Sequence, residues 1–268
     1  MRSENPPNGR LESRTPLCPY ICLSYTWGEA SPMYTIKING KFFHVRKGLW
    51  EFLDTVRTWR WLRRRSLWID ALCIDQENRM ERNHQVQQMG KIFWGADLVI
   101  CWLGRNPEFE SVLAAPWYRQ NALAVTPRTS QLTLPGKYVA FCWAKYWSRA
   151  WVTQEVALAR EAVVIAGSQF LALKHVIHAI VGEAPLSPFQ YLSNYILDRR
   201  RYTLDPTMSS IVSTWGLLNL LHHFRGTACA IPRDRIYSLL ALCREGKRYQ
   251  VNYDVSEAQV VRHTLEVC

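Results

Sequence analysis

Ser66-Leu67-Trp68-Ile69-Asp70-Ala71-Leu72-Cys73-Ile74, the run Glu77 to Trp94, and Asp97-Leu98-Val99-Ile100-Cys101-Trp102-Leu103 form the stretch that decides the fold. The first piece is an apolar run and predicts a buried strand over 66–74. The second carries Met80, Val86, Met89, Ile92 and Phe93 on a helical stripe, with Gly95 as its stop. The third is another apolar run, closed by Gly104. Strand, helix and strand with short links are the pattern of a parallel sheet covered by helices.

The pattern extends in both directions. Tyr20–Tyr25 predicts a short strand. Met33–Val45 alternates about Asn39-Gly40, and Asn-Gly between apolar alternations marks a hairpin. Lys47–Arg60 places Leu49, Phe52, Leu53, Val56 and Trp59 at helical spacing. Asn106–Gly136 reads as an irregular insertion or a long loop. Lys137–Arg160 reads as helical, broken near Tyr146–Ser148, and Ala162–Ala166 as a further strand. Helices are expected over Leu173–Val181, Phe189–Leu204, Ile211–Phe224 and Ala230–Leu242, with a closing strand at Tyr249–Tyr253. Ser256-Glu257-Ala258-Gln259 has capping-box spacing for a last helix that Cys268 cuts short. The expected organisation is a flexible segment 1–19, an α/β core 20–170, and a mainly helical extension 171–268 that is truncated.

Composition sets bounds. The chain has 268 residues, 48% apolar and 21% charged, which is globular usage and excludes a disordered chain. Twelve Trp are many for this length, so some are expected in the core and a few beside a flat ligand. Net charge is +11. It gathers at Arg57, Arg60, Arg63, Arg64 and Arg65 and again at Arg199, Arg200 and Arg201. We read these as solvated helix ends, and nucleic acid is not an expected partner because no known nucleic-acid module is visible. The N-terminus lacks the apolar stretch of a signal peptide, and no apolar run reaches the length of a membrane span. Eight Cys without a Cys-x-x-Cys pair point to reduced thiols and a cytoplasmic protein. Cys73 and Cys101 sit in apolar runs and read as small core residues. His84, His222 and His223 have no metal-type spacing, and no metal site is expected. There is neither a Gly-x-Gly-x-x-Gly nor a Walker loop, which leaves a dehydrogenase or an NTPase without support.

The candidate chemistry lies in three aromatic motifs. Ser24, Tyr25, Trp27 and Gly28 follow the first apolar run. In parallel sheets ligands sit beyond the carboxyl ends of strands, and Gly28 allows the backbone to approach closely. A capped strand end with Trp27 on the core is the other reading. Asp70 interrupts an apolar run, so it is either tied to backbone or Arg, or part of a site. Asp75 and Gln76 lie where that run ends. In Arg149-Ala150-Trp151-Val152-Thr153-Gln154-Glu155, Trp151 precedes Glu155 by one helical turn on the same face. Glu155 is then a pocket carboxylate or a rim residue paired to an Arg. Arg149 fits a phosphate bidentately or a surface acid.

Ser24-Tyr25-Thr26-Trp27-Gly28, Trp68 through Gln76, Glu81-Arg82 with Gln85-Val86 and Met89, Ala96 to Gly104, and Arg149 through Glu155 stand in the order of the blocks of the fungal heterokaryon-incompatibility (HET) domain, which the chain resembles. Arg233-Asp234-Arg235-Ile236-Tyr237-Ser238-Leu239-Leu240 resembles a block that often follows. Asp75 departs from the pattern, where the family commonly has Asn. HET domains resemble TIR domains distantly. The resemblance implies an α/β fold with a TIR-like, flavodoxin-like parallel sheet flanked by helices. It implies an effector of nonself recognition and programmed cell death that hydrolyses NAD or NADP as substrate, with no further cofactor. Glu155 is then the catalytic carboxylate, with Ser24, Tyr25, Trp27, Gly28, Asp70, Asp75, Gln76, Arg149 and Trp151 as ligand-binding residues. It also implies a homo-oligomer on activation and an upstream sensor. The competing implication is a non-enzymatic death-signalling module that works by self-association.

Overall fold

The computed structural model describes residues 18–115, 136–180, 184–204 and 215–268. The lead up to residue 17, most of the expected insertion, and the start of the helix expected at Ile211 lie outside the described residues. The core is an α/β unit with a mostly parallel central sheet flanked by helices.

Chain order gives β1 (Tyr20–Tyr25), β2 (Met33–Ile38), β3 (Lys41–Arg46) and α1 (Lys47–Val56). Then come β4 (Ser66–Trp68), α2 (Asp70–Cys73), α3 (Arg79–Gly95) and β5 (Leu98–Trp102). After α4 (Pro107–Ala114) and α5 (Gly136–Cys142) come α6 (Ala150–Ala157), β6 (Ala162–Ala166) and β7 (Gln169–Ala172). The extension carries α7 (Leu173–Ile180), α8 (Pro188–Leu204), α9 (Leu217–His223), α10 (Asp234–Tyr237) and α11 (Glu257–Val267).

The sheet order is β4-β1-β5-β6-β7. The first three neighbour pairs are parallel, and β6–β7 is antiparallel. The chain leaves β1 to one side, forms β4, and crosses back to β5 on the other side. That reversal creates a crevice at the carboxyl ends of β1 and β5, where doubly wound sheets hold ligands. The hairpin β2–β3 forms a separate ribbon. Asn39 and Gly40 both take positive φ (51° and 82°), as its two-residue turn demands.

Alternation within the strands divides the core in two. Ile21, Leu23, Tyr25, Ile100, Trp102 and Ile165 pack against Leu49, Phe52 and Val56 of α1. Cys22, Val99, Cys101 and Val164 face the other way, onto α3, α6 and the helices of the extension. Ser24, between Leu23 and Tyr25, points to this second face.

Several elements differ from expectation, each for a physical reason. The strand expected over 66–74 stops at Trp68, and Asp70 opens the single turn α2 instead of interrupting a strand. Its carboxylate takes the Ala71 N–H at 2.7 Å, a local bond that competes with a ladder. Cys73, on that turn, is therefore exposed, whereas Cys101 is buried. Helix α1 is shorter than its apolar spacing, ending at Val56. The start of the expected insertion is the helix α4, nucleated by Asn106, whose side chain accepts from the Glu108 and Phe109 N–H groups. Strand β7, unforeseen, is reached through Gly167 at φ 51°. The helix expected over 230–242 is only α10 and a 3-10 turn at Leu240–Leu242.

Tyr249–Tyr253 forms no strand and belongs to no sheet. Its backbone bonds go to amide side chains of α3: Gln87 donates to Tyr249 O at 3.1 Å and accepts from Val251 N at 2.8 Å. Asn83 accepts from Tyr253 N at 3.0 Å. Strand-like periodicity here reflects a segment strapped to a helix. The capping box at Ser256 forms, and α11 follows it. Among the described residues no helix is long and apolar enough to cross a membrane.

Candidate functional site

Helix α6 is enclosed on nearly every side. It packs on α3, α8 and α10 and against β1 and β5. Val152, Thr153, Gln154, Glu155 and Val156 are all buried. A carboxylate can sit there only with partners, and Glu155 has them. Ser24 Oγ donates to Glu155 Oε2. Tyr146 Oη lies 2.7 Å from Ser24 Oγ. Because serine has one proton to give and spends it on Glu155, Tyr146 is the donor in that second bond. Arg149 Nη1 stands 3.8 Å from Glu155 Oε2. That contact is too long for a hydrogen bond, and the buried Nη1 has no hydrogen-bond partner.

Asp70 approaches from the neighbouring strand end. Trp27 Nε1 donates to its Oδ2 at 2.7 Å. Gln76 Nε2 donates to the Asp70 carbonyl at 3.3 Å. Asp70 is partly buried, and burial is the main cause that pushes its carboxyl upward, opposed by Arg149. Glu155 is raised likewise, by burial first and by Asp70 in addition, against the opposing pull of Arg149 and Ser24.

Both carboxylates line one cavity of about 670 Å³, open to solvent. Trp27, Gly28, Gln76, Arg149 and Trp151 also line it. The size falls within the roughly 300–1,000 Å³ of small-molecule sites. Of the ten residues singled out in the sequence, seven thus share its wall. Ser24 and Tyr25 are not part of the wall, and Ser24 holds Glu155 from behind it. Asp75 is exposed outside it. Its Oδ1 accepts from Glu77 N at 3.0 Å and Asn78 N at 3.3 Å, turning the chain into α3. An amide oxygen accepts the same bonds, so the carboxylate here adds no charge to the cavity.

Other lining residues were not singled out. Arg46, at the end of β3, lies over the Trp27 ring at 5.2 Å and donates to Gly28 O at 3.1 Å. Arg82, Asp234 and Tyr253 form a further part of the wall together with residues 228–231. Trp151 Nε1 donates to Asp234 Oδ2 at 3.1 Å, and the Tyr253 hydroxyl donates to Asp234 Oδ1. The wall is joined to the site through backbone: Ala150 N donates to Ala228 O at 2.9 Å, and Ala228 N to Ser148 O at 2.6 Å. The signal in the sequence was the Arg233-Asp234-Arg235 block, which stood without a role.

A buried carboxylate thus stands at the switch point of a mostly parallel sheet in an α/β protein, beside a cavity lined by Trp and Arg. The chain belongs to the heterokaryon incompatibility protein (HET) family, whose model matches residues 20–155. It is 36% identical over 97 residues to heterokaryon incompatibility protein 6, OR allele, of Neurospora crassa. That match covers 32% of this chain and 14% of the relative, so the chain spans a small part of the curated protein's length. No solved structure matches.

Proposed function

We propose that this chain is an effector of fungal heterokaryon incompatibility and cell death that hydrolyses NAD or NADP at the nicotinamide–ribose bond. The observation that carries this reading is Glu155, buried at the carboxyl ends of β1 and β5, held by Ser24 and opening on an aromatic cavity. Without the hairpin, the strands stand in the order 2-1-3-4-5, with the fifth antiparallel. That is the flavodoxin-like order and supports a TIR-like sheet.

In this reaction the C–N bond breaks and its electron pair leaves with neutral nicotinamide. Positive charge develops on the ribose, as in glycoside cleavage. The fixed Glu155 carboxylate stabilises it electrostatically. Water then adds to the ribose carbon and releases a proton. Because the leaving group departs neutral from a cationic ring, no strong acid is needed. Trp151 and Trp27 supply flat faces for the nicotinamide, and Asp70 holds Trp27 in place. The eight cysteines are all free, which fits a reducing, cytoplasmic compartment.

Glu155 must be ionised to act. Its pKa is raised, so activity is expected to fall as pH falls through that raised value. Arg149 lowers this pKa. In Arg149→Gln the acid limb of the rate–pH profile therefore moves to higher pH. The limb belongs to the coupled Glu155–Asp70 pair. An unmoved limb in a folded, active variant rules out Glu155 as the titrating group.

A second reading, self-association, has its own support. Trp59 lies 6.0 Å from Trp61 and 5.8 Å from Phe170, ring to ring. Trp61 is 46% and Phe170 59% exposed, and Phe170 belongs to the edge strand β7. Exposed apolar patches and unpaired edges are sites of association. We propose that an upstream sensor clusters the chains through this patch. The test of both readings is nicotinamide release from NAD over a wide dilution series. Activity per molecule is expected to rise with concentration. Flat activity removes assembly as the switch. Absent activity even under forced clustering removes hydrolysis and leaves a signalling module.

A further inference from the structure

The Tyr253 wall of the cavity carries a cation that the catalytic reading does not use. Arg82, near the start of α3, lines the cavity with its guanidinium 4.3 Å from the centre of the Tyr253 ring. Its Nε is buried and has no hydrogen-bond partner. Among the described residues it makes no ion pair. The nearby carboxylate, Asp234, already accepts from Tyr253 and Trp151. A buried cationic donor without an acceptor is costly unless a ligand supplies one.

A guanidinium stacked on a ring keeps its N–H groups free at its edge, in the flat fork that matches two phosphate oxygens. Tyr253 fixes the plane of Arg82, and Tyr253 is itself fixed at both ends: its hydroxyl by Asp234 and its N–H by Asn83. Trp151 spans the interval. Its indole is tied to Asp234, and Glu155 lies one helical turn further on the same helix. The cavity thus has Glu155 with Arg149 and Trp151 at one part and Arg82 with Asp234 at the Tyr253 wall.

We propose that Arg82 is the diphosphate-binding residue of this cavity, and that the ligand is a nucleoside diphosphate derivative. Its diphosphate lies against Arg82 while its ribose lies against Glu155. The choice of ligand rests on the pyridine-nucleotide reading above. The subsite itself rests on the Arg82–Tyr253 stack and its free donor.

The experiment is calorimetric titration of the whole chain with ADP-ribose, inorganic pyrophosphate and adenosine, in wild type, Arg82→Gln and Arg82→Lys. Arg82→Gln is expected to raise Kd for ADP-ribose and pyrophosphate by about tenfold to a hundredfold, the weight of a charge-assisted bond. Adenosine affinity is expected to stay unchanged. Arg82→Lys keeps the charge but loses the fork, and recovers only part of the affinity. If Arg82→Gln does not fold, the lysine variant carries the test, since losing the fork alone costs several-fold for ADP-ribose. Wild-type affinity for both phosphate probes in a folded glutamine variant, or in the lysine variant where it stands in, overturns the assignment, as does a wild type that binds neither. If ADP-ribose binds through Arg82 but NAD is never cleaved, hydrolysis fails and the subsite stands. If NAD is cleaved with an unchanged KM in Arg82→Gln, the subsite fails and hydrolysis stands.

Discussion

Glu155→Gln is expected to lower nicotinamide release from NAD by about 100-fold or more, the usual weight of one well-placed electrostatic contact in a transition state. The swap keeps the length of the side chain and an oxygen to accept from Ser24. It deletes the charge that meets the developing ribosyl cation. The fold should survive. Burial raises the Glu155 pKa, so between the unfolded and folded values the folded state holds more protons. Stability therefore falls as pH rises through that window and is greatest below it. A neutral amide removes that penalty at neutral pH, and the long contact to Arg149 is a small loss. Thermal unfolding near the wild-type temperature, with release lost, is the expected pair of results. A folded variant that still releases nicotinamide at the wild-type rate ends the assignment of Glu155.

Phe52→Ala is expected to cost about 3–5 kcal/mol of stability, the range for large aromatic truncations in a core. Phe52 is fully buried on α1 and meets Trp102 edge to face, ring centres 5.8 Å apart. Trp102 is itself fixed, its indole N–H donating to Gly48 O at 3.1 Å. The pocket left behind has rigid walls, so little collapse can offset the loss. This core lies on the face of the sheet away from Glu155. Below its lowered transition the variant should bind ligands of the cavity as wild type does. Urea unfolding measures the cost. A loss under about 1 kcal/mol shows that α1 moves in to fill the space.

The parallel strands were legible because each is a short apolar run set beside a helical stripe, and Asn39-Gly40 gave the hairpin directly. Trp27, Asp70, Arg149, Trp151 and Glu155 could be picked out because they are polar or aromatic residues just past, or one helical turn from, such runs, and because they fall in the blocks that resemble the HET domain. The division of labour among them was not legible. Whether Ser24 faces ligand or Glu155 depends on a helix 131 positions away in sequence. Asp75 looked like a site residue by its place and proved to be a turn acceptor, a use that short polar side chains share. Arg82, Asp234 and Tyr253 went unassigned because their meeting depends on how the extension lies on α3. Two amides, Asn83 and Gln87, decide that, together with Gly90, where a Cβ would stand 2.2 Å from the Ala241 Cβ. No periodicity encodes such a docking.

That docking has a bearing on the order of events in synthesis. The sheet is complete at Ala172, whereas the Tyr253 wall is made ~80 residues later, which at about 5–20 residues per second is several seconds of elongation. A nascent chain in that interval has a finished sheet and an unfinished pocket. The last wall therefore acts as a delay: the strand ends that frame the cavity are in place well before Arg82 can meet Tyr253 across it.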